Sequence, residues 1–218
     1  MNMQLIQLLA LAGIAIYLIL KLRGVLGTRE GYEAPRTSTT TPETKRKKFE
    51  VIDGGSDLDI SDHASEDSDV GRALLAMKKA EPSFSVTEFL QGSKGAYEMI
   101  LMAFENADLE SVRSFLGDEV YDAFSSVVGD RETKGLTVEA EFIGVRETGL
   151  MSAGFNPKNN VGEIDVRFVC ELSSVVKDKN GKIIEGSETE IKRQRDVWTF
   201  SRKMGVSDPN WQLVATGE

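Results

Sequence analysis

Ile164-Asp165-Val166-Arg167-Phe168-Val169-Cys170-Glu171-Leu172 decides the fold. Side chains alternate across an extended chain, so Ile164, Val166, Phe168, Cys170 and Leu172 share one face. Asp165, Arg167 and Glu171 take the other. An apolar face backed by a charged one describes an antiparallel strand with one side on a core and one in water. Downstream, Asn180-Gly181 lies between Val175-Val176 and Ile183-Ile184, a strong short-range hairpin signal. A strand within residues 188–203 centres on Val197-Trp198-Thr199-Phe200, and a last one covers residues 211–216. Upstream, Leu136, Val138, Ala140 and Phe142 alternate with Thr137, Glu139 and Glu141. Roughly four or five antiparallel strands are expected after Gly135.

Before Gly135 the period is helical. Residues 72–80 predict a short amphipathic helix with Leu74, Leu75 and Met77 apolar, Lys78 and Lys79 in its last turn, and Pro82 as its stop. It either packs on its own domain or makes a second membrane or partner contact. Ser85-Val86-Thr87-Glu88 is a capping box, and Phe84 before it is placed to staple onto Phe89. Val86, Phe89, Leu90, Ala96, Tyr97, Ile100, Leu101 and Phe104 then recur at helical spacing. Gly92 and Gly95 interrupt this run, marking either close backbone packing or a kink. Asp108 is expected to cap a helix through Leu109, Val112 and Leu116, and Asp118 one over residues 119–128, with Gly129 and Gly135 ending the helical half. Helices followed by strands give an α+β fold, a bent antiparallel sheet packed on N-terminal helices.

The N-terminal third is different in kind. The chain of 218 residues carries 26 Lys+Arg against 35 Asp+Glu, a net charge of −9, with one His and one Cys. That charge is sorted by position. Residues 2–20 have no charged side chain. Twenty helical residues rise about 30 Å, the thickness of a bilayer's hydrocarbon core. Leu8, Leu9, Ile14, Ile16 and Tyr17 with Leu18, Ile19 and Leu20 make the apolar span, and Lys21 and Arg23 close it. A cleaved signal peptide would have its basic residues on the other side, and a buried core helix would not give way to a polar tail. A signal-anchor helix over residues 1–26 fits best, with Lys21, Arg23 and Arg29 holding the C-terminal side in the cytoplasm of an inner membrane. The lone Cys suits a reducing compartment.

Residues 27–70 read as a disordered linker. Residues 21–48 hold eight basic and three acidic side chains, a net of +5, and residues 49–70 hold eight acids and no basic residue. The basic half suits anionic lipid head groups; a solvated spacer without a partner is the alternative. His63 lies in this tract as a bystander. The folded domain is expected at residues 71–218.

No chemistry stands out. One His and one Cys exclude Cys-based zinc sites and multi-His metal sites, and no phosphate-binding glycine loop occurs. Cys170 reads as a buried structural thiol with no His to activate it. Tyr97 and Tyr121 read as core residues, and Glu139/Glu141 and Glu188/Glu190 as solvated edges. No catalytic residue, cofactor or metal is expected, and net acidity argues against nucleic acid.

Glu81-Pro82-Ser83-Phe84, the helix over residues 89–104, Gly117-Asp118-Glu119-Val120-Tyr121-Asp122-Ala123-Phe124, Asp196-Val197-Trp198-Thr199-Phe200 and the closing Asp208-Pro209-Asn210-Trp211-Gln212-Leu213-Val214-Ala215-Thr216 resemble the Tim44-like domain. This domain is shared by a mitochondrial inner-membrane translocase subunit and bacterial TimA adaptors. Residues 22–29, after the apolar span, resemble the bacterial branch. The resemblance implies an NTF2-like cone with an apolar pocket and a non-catalytic adaptor that recruits translocation machinery through protein partners. It does not carry over Hsp70 tethering, because a short anchor and polar linker stand in place of the long N-terminal region. Mitochondrial relatives lie on the membrane, whereas this chain is expected to span it. Tyr97, Leu101, Phe104, Phe124, Phe168, Cys170, Trp198 and Trp211 are the expected pocket or core residues. The alternatives are a binder of lipid or another small hydrophobic ligand in that pocket, or an enzyme, for which the only His would lie outside the domain.

Overall fold

At the start of the described residues, the Asp57 carboxylate accepts from the Asp59 amide at 3.1 Å and caps helix α1, Leu58–Ser61. The computed structural model describes residues 57–217. The anchor residues Leu8 to Arg23 and linker residues 27–56 lie outside the described residues. Residues 57–70, expected within the flexible linker, are instead folded. Ile60 is fully buried, and one apolar side chain with a ring of satisfied carboxylates outweighs the acidic composition.

Helix α2 runs Asp69–Ala80, longer at its start than the apolar pattern suggested, because Ser68 caps it by accepting from the Gly71 amide at 3.0 Å. Leu74 and Met77, one turn apart, face the core. Helix α3, Val86–Glu105, starts at the expected cap, where Ser85 Oγ accepts from the Glu88 amide at 3.2 Å. Its buried stripe is Val86, Phe89, Ser93, Tyr97, Ile100 and Leu101. Gly92 and Gly95 lie on its exposed side, and a Cβ on either would meet nothing within 4 Å. Close packing is therefore not their role.

Asp108 makes no side-chain cap; the segment Leu109–Phe115 is a 3-10 helix that buries Leu109 and Val112. Helix α4 is Asp118–Thr133, and its N-cap is Gly117, with Asp118 already inside the first turn and paired to Arg113. It passes through Gly129 and ends in a Schellman motif. Gly135 takes φ +64°, its amide donates to Glu132 at 2.9 Å, and the Leu136 amide donates to Arg131 at 2.9 Å.

Four antiparallel strands follow in sequence order: β1 Thr137–Asn156, β2 Val161–Lys177, β3 Ile183–Lys203 and β4 Gln212–Gly217. The apolar face of β2 is buried at every expected position. The hairpin after it is closed by Gly181 at φ +77°, with Asp178 accepting from the Asn180 and Lys182 amides at 2.8 and 3.0 Å. Strand β1 continues well past Phe142. Register shifts at Phe142/Gly144, Val145/Glu147 and Leu150/Ser152 each break the alternation on which a strand is recognised. In β3, Leu172 pairs with Lys192 but Ser174 pairs with Ser187, so residues 188–191 bulge out. Strand β4 pairs with β3 and also accepts the Gly117 amide at Leu213 O, 2.8 Å, tying the start of α4 to the sheet edge.

The core fills the space between α3 and β2–β3. The Tyr97 ring stacks on Phe168 with centroids 4.4 Å apart and meets Trp198 at 4.5 Å.

Candidate binding cleft

The residues expected to form one pocket fall in three places. Tyr97, Phe168, Cys170 and Trp198 are buried in the core, with Leu101 beside them in the same helical stripe. Phe104 and Phe124 pair at 4.6 Å under the Arg131 guanidinium, which sits 4.4 Å over the Phe104 ring. Trp211 alone lines an open cleft of about 410 Å³.

That cleft is built by four pieces of chain. The loop after α2 supplies Glu81 and Phe84, the first half of α3 supplies Phe89, Gly92 and Ala96, the 3-10 helix supplies Phe115, and the ends of β3 and β4 supply Phe200, Arg202 and Trp211. Trp211 lies 4.6 Å from Phe89 and 6.0 Å from Phe84 by ring centroid. The staple residues thus meet through the indole. Phe200 meets Phe89 edge-on at 6.0 Å.

One charged pair stands among these rings. Arg202 Nη2 lies 2.6 Å from Glu81 Oε1, with side-chain exposures of 8% and 17%. The Arg202 guanidinium carbon is 5.2 Å from the Trp211 ring centroid. Glu81 Oε2 also accepts from the Gly205 amide at 2.9 Å. Burial pushes the Glu81 carboxyl upward, but the Gly205 amide and Arg202 outweigh it and hold the group below its ordinary value. The Nε of Arg202 is buried and has no hydrogen-bond partner among the described residues. Glu88 and Asn210 complete a polar rim.

A second polar group lies inside the core. Tyr97 Oη lies 3.1 Å from Cys170 Sγ and donates to the Asp196 carboxylate, which Gln194 Nε2 also contacts at 2.9 Å. Burial, then Asp196, pushes the Tyr97 phenol far above its ordinary range, and burial raises the Cys170 thiol. Both groups are held neutral, which suits packing and not nucleophilic attack.

Glu81, Phe84 and Phe200 stand in recognisable motifs, but no local pattern assigns them to a cleft. Arg202 carries no sequence signal at all, since nothing local links two residues 121 positions apart. His63 is also relocated: its Nε2 lies 3.2 Å from Thr87 Oγ1 at the start of α3.

The family model for the Tim44-like domain matches residues 70–218. The chain belongs to the Tim44-like domain family. The chain is 23% identical over 154 residues to a Caenorhabditis elegans protein named probable mitochondrial import inner membrane translocase subunit tin-44, covering 69% of this chain and 36% of that protein. It is 19% identical over 144 residues to the Arabidopsis thaliana mitochondrial import inner membrane translocase subunit TIM44-1, covering 66% of this chain and 30% of that one. The chain thus spans about a third of the length of these relatives. The crystal structure of the intermembrane space region of chloroplast protein ARC6 shows a distant likeness, with a TM-score of 0.36 and 11% identity over 66% of this chain and 94% of that one. The cleft and the Tyr97–Cys170–Asp196 contacts both lie within the matched Tim44-like region.

Proposed function

We propose that this chain is a non-catalytic adaptor or scaffold held on the cytoplasmic face of an inner membrane, working in protein translocation or envelope assembly. The Tim44-like match over residues 70–218 carries the reading, because the relatives that share it are named as inner-membrane translocase subunits. Residues 1–26 are the single-pass anchor. The basic residues within 21–48 face anionic lipid head groups, and the tract up to residue 56 is a spacer. The folded domain is an NTF2-like cone, its sheet wrapped on α3. Its aromatic cleft receives an apolar segment of a protein partner, and nucleic acid is not a partner. Neutral, buried Tyr97 and Cys170 offer no nucleophile, which supports holding over catalysis.

Deleting residues 1–26 tests the anchor. The full chain is expected to stay with membranes through high-salt and alkaline washes, and the truncated chain to be released; a truncated chain that stays bound after both washes sinks the reading.

A second reading is favoured by one observation. The cleft sets the Arg202 side chain, whose Nε has no hydrogen-bond partner among the described residues, beside an apolar wall, which suits a small hydrophobic ligand or lipid that brings an acceptor oxygen. Native mass spectrometry of the gently purified protein is expected to show a retained small molecule in that case, and a bare mass would count against it.

A further inference from the structure

The family match begins at residue 70, yet residues 57–69 are folded as well. What those extra residues hold is the start of α3. The first amides of a helix have no partner within it. Asp59 supplies partners for two of them. Its Oδ2 accepts from the Val86 amide at 2.8 Å, its Oδ1 from the Thr87 amide at 3.0 Å, and Ser85 Oγ donates to Oδ1 at 3.0 Å. A capping residue normally comes from the helix's own chain just before it; Asp59 reaches this position from 26 residues upstream of Ser85.

Asp59 is itself held in place. Lys78 Nζ lies 3.3 Å from Asp59 Oδ2 and 2.9 Å from Asp57 Oδ1. Glu66 Oε1 accepts from the Asp57 amide at 2.6 Å, and Ile60 fills the core with no exposure. Gly71 admits the returning chain, because a Cβ there would fall 2.2 Å from the Ser65 carbonyl oxygen. Burial opposes the charge on Asp59, but the Thr87 and Val86 amides outweigh it and hold the carboxyl well below the usual range.

The same helix start is one wall of the cleft. Ser85 both donates to Asp59 and lines the cleft, with Phe84 and Phe89 on either side of it. We propose that residues 57–68 are a strap that regulates the cleft: seated, it fixes the first turn of α3 and the Phe84/Phe89/Trp211 wall; released, it lets that wall move and changes what the cleft holds. The proposal rests on the cleft being the binding site. Apart from Ile60 and Ala64, which pack on the core, the strap's grip on α2 and α3 is polar: Asp59 on two amides and Ser85, Asp57 and Asp59 on Lys78, Ser68 on the Gly71 amide, and His63 on Thr87. A partner that competes for Asp57 and Asp59 would therefore release it.

The test uses the full chain with two readouts. Amide exchange at Val86 and Thr87 reports the strap, and binding of the neutral fluorescent probe N-phenyl-1-naphthylamine reports the cleft. In Asp59→Ala, exchange at these two amides is expected to rise at least about tenfold, with Ile100 and Leu101 unchanged as the sign of an intact fold. Asp59→Asn, which keeps one acceptor oxygen, falls between. Probe affinity is expected to shift several-fold in the same order. Unchanged exchange, or changed exchange with unchanged probe affinity, overturns the strap. Probe affinity that is the same in Trp211→Ala as in the wild type overturns the cleft reading, and the proposal with it, whatever the exchange data show.

Discussion

The hydroxyl of Tyr97, on α3, lies 3.1 Å from the sulfur of Cys170, on β2, and donates to Asp196 on β3. One phenol thereby joins the main helix to two adjacent strands through polar contacts inside an aromatic cluster. Such a group is costly to bury unless every partner is met. Replacing Tyr97 by Phe keeps the ring stacked on Phe168 but strips Asp196 and Cys170 of that partner. Tyr97→Phe is expected to cost about 1–3 kcal/mol in chemical denaturation. A cost within error would show that Asp196 finds another donor.

The Glu81–Arg202 pair sets a pH dependence. Glu81 has a folded pKa below its unfolded one. Its stabilisation is therefore present above the unfolded value near 4.5 and is lost as pH falls through the folded value. Glu81→Gln is expected to lower stability by about 3 kcal/mol at neutral pH, since Arg202 is left buried with a weaker partner. It should also flatten the acid limb of the unfolding curve below pH about 4.5. Thermal unfolding at pH 7 and across the acid range checks both.

Gly95 sits inside α3 with open space where a side chain would go. Gly95→Ala is expected to stabilise by up to about 1 kcal/mol, because alanine has less backbone freedom to lose in a helix. A shift in the urea midpoint with unchanged slope is the measurement, and a lower midpoint would show a close approach at that position.

Gly186 is the opposite case. It takes φ +80°, and a Cβ there would lie 2.0 Å from the Ser174 carbonyl oxygen. Gly186→Ala is expected to destabilise and to disturb the β2–β3 pairing locally, seen as faster amide exchange at residues 174–176 than in the wild type. Unchanged exchange there would mean that the bulge at 188–191 absorbs the strain.

Strong local signals were legible. The alternation over residues 164–172, the Asn180-Gly181 turn and the Ser85 cap each depend on neighbours within about four positions, and each forms where the sequence puts it. Signals failed where a distant partner took over. Asp108 and Asp118 look like caps, yet Gly117 starts α4 because its amide is drawn to Leu213 on the sheet edge. Residues 143–156 hide a strand because three bulges reset its phase. Acidic residues 57–69 look unable to fold because composition does not show that Asp59 will find the amides of α3.

The expected pocket residues show the same division. Tyr97, Phe168 and Cys170 were identifiable as inward-facing from their period, whereas Trp198 was marked only by the family resemblance; all four are buried. Which inward residues pack solid and which line an opening depends on how completely helix and strand cover each other. Trp211, just before β4, is half-buried: it packs against the core at Phe89 and also lines the cleft.

By itself the sequence determined the α+β order, the buried face of β2, the start of α3 and the sorting of charge along the chain, since periodicity and capping are local properties. Only the tertiary structure decided that Arg202 would be buried against Glu81 and Trp211. It also decided that the tract outside the family match would cap α3. A buried charge and a borrowed cap depend on chain segments far apart in sequence coming together, and no local pattern encodes that meeting.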